Sequence, residues 1–266
     1  ISRKAAGVEI GIVTRKGAAE QGRVALDAAV EILPWYNDYF GTSYPLPKLD
    51  MIAVPGTSQF FGAMENWGAI MYFEQALLMD PQISSESDRL NIYDAVAHEM
   101  AHQWFGNLVT MEWWDDLWLN EGYATWMAEK AASTLRSQWN VPLLTVKWPR
   151  EFALQSDASD ATHPIVQRVA SVDAASQAFD SIAYNKGSAV IRMLEASLGE
   201  TGFRDGIRRY VRRYAYDNTV TDQLWSELAS ATNRPVIDIA RDFTLQPGVP
   251  LVKAVAGRCE SGRTRV

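Results

Sequence analysis

The five residues His98-Glu99-Met100-Ala101-His102 constrain this chain more than any other stretch of it. On a helix, positions i and i+4 lie about 40° apart around the axis and one turn apart along it, so both imidazoles face the same point. Glu99 projects at a neighbouring angle, from which it can reach a water on a metal without ligating the metal itself. The chain has only three histidines, and two of them are here. Asn120-Glu121-Gly122 falls in the next helical segment, with eighteen residues between His102 and Glu121, so an antiparallel return carries the Glu121 carboxylate back to the first helix. Two imidazoles and one carboxylate make the open three-ligand set of hydrolytic zinc sites, in which water takes the fourth position. The spacing therefore predicts one zinc ion per chain on His98, His102 and Glu121, and a fold that packs these two helices face to face.

Composition narrows the alternatives. The single cysteine, Cys259, excludes an internal disulfide and a thiolate-rich zinc cluster, which leaves histidine and carboxylate as ligands. A net charge of −7 argues against a nucleic-acid surface, and the cluster Arg208, Arg209, Arg212 and Arg213 has the spacing of a solvated helix face. No apolar run approaches the roughly 18 residues needed to span a membrane. The first residue is Ile, so the chain is expected to be cut from something longer or processed, and its compartment, cytoplasmic or periplasmic or extracellular, stays open.

Along the chain, residues 18–40 carry apolar side chains at helical spacing and read as one helix, bent or broken at Pro34. LDMIAVP and AIMYF read as strands, 88–107 as a helix ended by Gly106 and Asn107, and LWLNEGYATWMAEKAAS as a helix capped by Asp115 or Asp116. Beyond Pro149 the signals are almost all helical: 173–180, 185–198, 201–214, 221–232 and 235–243. No linker or repeat divides the chain, so 1–266 is expected to be a single unit with a polar tail at 251–266 whose end is frayed. Strands first and helices after predict an α+β domain, a small sheet followed by a mostly helical part.

HEMAHQWFGN followed by WWDDLWLNEG, and preceded by Gly62-Ala63-Met64-Glu65-Asn66, resembles the gluzincin metallo-aminopeptidases, the alanyl or membrane aminopeptidase family that also includes proteins like leukotriene A4 hydrolase. The resemblance runs from about residue 8 to the FTLQPGVP stretch. It implies a thermolysin-like zincin catalytic domain that hydrolyses the first peptide bond of peptides with a free N-terminus, with Glu99 as general base. It implies that Gly62, Ala63, Met64 and Asn66 belong to an edge strand pairing with substrate backbone, and that Glu65 fixes the substrate amine. The residues agree: a glycine lets another backbone approach closely, and a carboxylate suits an ammonium group. The resemblance also implies that Tyr184, in Ala183-Tyr184-Asn185-Lys186-Gly187, stabilises the oxyanion, a role that spacing alone could not single out from ten tyrosines. Flanking N-terminal β and C-terminal helical domains of that family are not recognisable, apart from a trace of the first at 1–14.

His163 reads as structural or as an outer partner of the site, Asn120 and Asp116 as outer partners of the imidazoles, and Trp113, Trp114 and Trp118 as core packing beneath it. Phe61 could border the pocket for the N-terminal side chain. Other readings of the same motifs are a lipid epoxide hydrolase of this family, an endopeptidase, and a zinc-binding domain of low activity when isolated.

Overall fold

The computed structural model describes residues 1–58, 61–255, 257, 259–260 and 263–264. Five short strands form the main sheet: β1 (Ser2–Ala5), β2 (Val8–Val13), β3 (Lys48–Val54), β4 (Ala63–Met64) and β5 (Ala69–Phe73). Their order is β1-β2-β3-β5-β4, with β2, β3 and β5 parallel and the outer strands antiparallel to their neighbours. Ile10, Leu49, Met51, Ile70 and Tyr72 are fully buried, which is the alternation of a sheet with one face on the core. Residues 1–14 thus supply two strands of the same sheet that carries β3, β5 and β4.

Helix α1 (Arg23–Phe40) covers this sheet. It runs unbroken through Pro34, which is exposed, so water can satisfy the carbonyl that the missing N–H leaves free. Gly41 ends it in the left-handed conformation. After the one-turn α2 (Glu74–Leu77), the chain enters α3 (Glu86–Ala101), whose start is fixed by a reciprocal cap between Ser85 and Asp88. The buried Tyr36 hydroxyl of α1 donates to the carbonyl of Ala97 at 2.8 Å, locking α3 against α1 just before the histidine motif.

A short β6 (Val109–Met111) turns the chain into α4 (Trp118–Leu135), which packs on α3. Phe105 and Tyr123 stack across this contact with centroids 3.5 Å apart. The rest is helical: α5 (Val141–Thr145), α6 (Glu151–Asp157), α7 (Val172–Gln177), α8 (Gly187–Leu198), α9 (Glu200–Tyr214), α10 (Thr221–Thr232) and α11 (Val236–Thr244), with β7 (Asp217–Thr219) pairing beside β6. The arginine cluster on α9 does more than face solvent. Arg209 and Arg213 both bind the buried Glu227 of α10, and Arg208 donates to the Tyr39 carbonyl at the end of α1.

A small sheet followed by a mostly helical part is the α+β arrangement the sequence predicts. Near the end, β8 (Cys259–Glu260) and β9 (Arg263–Thr264) pair as a short hairpin, and the other residues of the expected frayed end lie outside the described ones. No helix among the described residues is long and apolar enough to cross a membrane.

Candidate metal centre and cleft

The C-terminal turn of α3 brings His98 and His102 to one face, and α4 returns antiparallel with Glu121 in its first turn. Nε2 of His102 lies 3.0 Å from Nε2 of His98, and Oε2 of Glu121 lies 3.3 Å and 3.4 Å from those two atoms. A tetrahedral zinc ion with ligands at about 2.0–2.1 Å separates them by about 3.3 Å, so the three donors fit that ion in chemistry and in spacing. Nδ1 of His102 donates to the carbonyl of Phe105 at 3.0 Å, which fixes the tautomer and leaves Nε2 as the free donor atom.

The electrostatics favour a cation here. Burial works against charge on His102, but the carboxylates of Glu121, Glu65 and Glu99 outweigh it and push the imidazole up to about 10. Burial alone would raise Glu121, yet His102 and then His98 hold its carboxyl well below the usual range. The same negative field that favours a proton on His102 favours a divalent ion, whose binding displaces that proton.

Glu99 is buried and points to the same space. Burial, opposed by the two imidazoles, pushes its carboxyl up to about 7, and its Oε2 has no hydrogen-bond partner. A buried carboxylate oxygen without a partner costs free energy, which a water held in the site would relieve. A carboxylate oxygen of Glu65 lies within 4.8 Å of donor atoms of Glu99 and His102.

Glu65 reaches this position because the helix side holds its backbone. Gln103, fully buried, donates through Nε2 to the carbonyls of Glu65 at 3.2 Å and Glu99 at 3.3 Å, and accepts from the Gly68 amide at 3.3 Å. Asn107 adds a 2.8 Å bond to the same Glu65 carbonyl. Gly62, Ala63 and Met64 lie on or beside β4, at the open edge of the sheet, and Asn66 forms the turn into β5. The roles of Gln103 and Asn107 escaped the sequence reading, although both belong to the HEMAHQWFGN stretch, because their partners lie some forty residues away.

Tyr184 sits in a π-helical turn, Ile182–Lys186, that leads into α8. Its ring lies parallel to His98 with centroids 6.0 Å apart. Burial, and then the Glu121 carboxylate, raise its phenol far above the ordinary value, so it stays protonated as a donor. Two features hold this turn. A Cβ at Gly122 would lie 2.9 Å from the Ala183 carbonyl and 3.1 Å from Cα of Gly187, so only glycine allows α4 to approach this closely. Asp180 accepts from the amides of Ile182 and Ala183 at 2.9 and 3.0 Å through Oδ1, while His163 donates to its Oδ2 at 2.7 Å.

Several expectations change. Asp115 and Asp116 do not cap α4: Asp115 accepts from the Val169 amide at 2.6 Å, and Asp116 accepts from the amide and hydroxyl of Thr221. The outer partner of His102 is the Phe105 carbonyl, not the side chain of Asn120 or Asp116. Trp118 is core and stacks on Trp225, but Trp113 and Trp114 are exposed, 57% and 37%, because the turn before α4 faces outward. Phe61 is exposed and stacks on Phe73.

His98, Glu99 and Tyr184 border an open cleft of about 360 Å³. Gly62, Ala63 and Asn185 line it as well, and Asn91, Asp94 and Ala95 extend it along α3.

Comparison with known proteins matches residues 24–243 to the family described as "Peptidase family M1 domain". The chain is 43% identical to "Aminopeptidase M1-C" of Oryza sativa subsp. japonica over 92% of its own length and 28% of that protein. It is 41% identical to "Aminopeptidase M1" of Arabidopsis thaliana, over 93% of this chain and 28% of the relative. It is 40% identical to "Leucyl aminopeptidase" of Saccharolobus solfataricus, over 93% and 31%. The chain thus spans about three tenths of the length of these curated relatives.

Proposed function

The chain belongs to peptidase family M1, and from that premise we propose that it is the zinc-holding catalytic domain of an aminopeptidase, releasing the first residue of peptides with a free amino terminus. The observation that carries this reading is the triangle of His98, His102 and Glu121 donors beside a buried, partnerless Glu99 oxygen and the Glu65 carboxylate. In this reading residues 1–266 form one thermolysin-like catalytic domain.

His98, His102 and Glu121 would hold the zinc. When bound, zinc polarises a carbonyl and lowers the pKa of a water to about 7. Glu99 accepts the proton of the attacking water and later delivers it to the leaving amine. The Tyr184 hydroxyl donates to the negative charge that develops on the carbonyl oxygen. Glu65 binds the substrate ammonium, and the open edge at Gly62–Met64 pairs with its backbone. Because Glu65 anchors a charged amine a short way from Glu99, the cut falls after the first residue.

The test is hydrolysis of a panel of aminoacyl-anilides with and without a chelator, beside the same compounds acetylated on nitrogen. Chelator-sensitive release from free amines alone is the expected result. Equal cleavage of acetylated compounds, or release that survives complete metal removal, contradicts the proposal.

A further inference from the structure

Asn91, Asp94, Ala95 and His98 are spaced i, i+3, i+4 and i+7 on α3, so they share one face, and all four line the cleft. Their order along the helix has a direction relative to the site. Glu65 clusters with Glu99 and His102 at the C-terminal end of α3, and Gln103 and Asn107 fasten its carbonyl further in that direction. Asp94 lies on the opposite side of His98, four residues or about 6 Å back along the axis.

On the aminopeptidase reading above, on which this inference rests, the substrate amine meets Glu65 and the carbonyl to be attacked lies at the metal donors. The chain beyond the cleaved bond then continues toward Asp94. An extended peptide advances about 3.4 Å per residue, and the long flexible stem of a lysine or arginine on the first residue past that bond carries its charged head the rest of the way to the Asp94 carboxylate.

Asp94 is exposed to this space and makes no hydrogen bond or ion pair with any described residue, and among the described residues no lysine or arginine lines the cleft. Burial raises the Asp94 carboxyl from its ordinary value, the His98 imidazole opposes that shift, and Asp94 in turn acts on the Tyr36 phenol. Glu99 and Glu121 offset the two charges a zinc ion brings, so the cleft keeps a negative end at Asp94. We propose that Asp94 is a specificity-determining residue that selects a lysine or arginine immediately after the cleaved bond and disfavours an acidic residue there.

The measurement is kcat/KM for tripeptide amides Leu-Xaa-Gly-NH2 with Lys, Gln or Glu in the second position, for the wild-type chain and Asp94→Asn. An exposed carboxylate facing an ammonium group gives a preference of about three- to tenfold for Lys over Gln, weakened by salt, with Glu slowest. Asp94→Asn removes the order, and the Gln peptide, which brings no charge to this position, changes least. Equal rates for Lys and Glu in the wild type, or an order that survives Asp94→Asn, overturns the inference while anilide turnover still supports the aminopeptidase reading. If neither anilide nor peptide is cut, that reading fails by itself. Calorimetric binding of the same three peptides to the zinc-loaded chain and to Asp94→Asn then decides the preference: tighter Lys binding lost in the variant supports it, and equal binding overturns it.

Discussion

The side-chain amide of Gln103 donates to the backbone carbonyl of Glu65 at 3.2 Å, tying the loop after β4 to the helix that carries His98 and His102. Asn107 reinforces the same carbonyl at 2.8 Å. Neither side chain bonds to the side chains of His98, His102 or Glu121, so both act by setting where the Glu65 carboxylate stands. Gln103→Leu is expected to raise KM for aminoacyl-anilides about tenfold, with a smaller change in kcat and unchanged zinc content. Gln103→Glu, which keeps an acceptor for Gly68 but loses the donor, is expected to recover little. A variant with unaltered KM contradicts the positioning role.

The Glu99 carboxyl is buried with its Oε2 unpartnered, and its replacement separates metal binding from chemistry. Glu99→Gln is expected to hold one zinc per chain and to lose kcat by about 10²–10⁴-fold. Substantial residual turnover would remove Glu99 from the role of base.

Gly122 packs on Gly187 without any side chain between α4 and the turn bearing Tyr184. Gly122→Ala forces these backbones apart, because its Cβ would meet the Ala183 carbonyl at 2.9 Å. The expected result is a stability loss of about 1–3 kcal/mol and a fall in kcat of about 10²-fold from a displaced Tyr184 hydroxyl. Tyr184→Phe gives the chemical part alone, with stability close to wild type. Full activity in Gly122→Ala contradicts the account of how Tyr184 is placed.

His163 offers a pH signature away from the metal donors. Both ring nitrogens face acceptors, the carboxylate of Asp180 and the carbonyl of Pro164, each at 2.7 Å. The bond to Asp180 comes first among the causes that raise the imidazole, and His163 with the backbone amides outweighs burial to lower Asp180. A raised histidine contributes stability that is fully present below about pH 6.5 and is lost as pH rises through its folded value. A lowered aspartate contributes stability present above about pH 4 and lost on acidification. The melting temperature gained over His163→Gln should therefore be larger at pH 6 than at pH 9, by about 2–4 °C. A gap that does not change between these pH values contradicts the ion pair.

The grouping of His98, His102 and Glu121 was legible in the sequence because helical periodicity fixes His98 against His102, and a short antiparallel return fixes Glu121 against both. The strands and the order of strands before helices were legible from apolar runs and breakers. What the sequence could not supply were contacts between side chains and distant backbone. Asp116 meets Thr221, 105 residues away, and Gln103 meets Glu65 across the sheet edge, so neither leaves a periodic trace. Trp113 and Trp114 were read as core from residue type, but a turn facing solvent decides their exposure. The reading of Tyr184 rests on resemblance, since a π-turn has no composition that marks it.

The central claim is that His98, His102 and Glu121 together bind a zinc ion. It is tested most directly by zinc content and the zinc X-ray absorption spectrum of the reconstituted chain, beside His102→Ala and Glu121→Ala. The account predicts one zinc per chain, nitrogen and oxygen ligands at about 2.0–2.1 Å with two imidazoles, and loss of the ion in both variants. Zinc that is absent after reconstitution, or that remains at full occupancy in either variant, contradicts it.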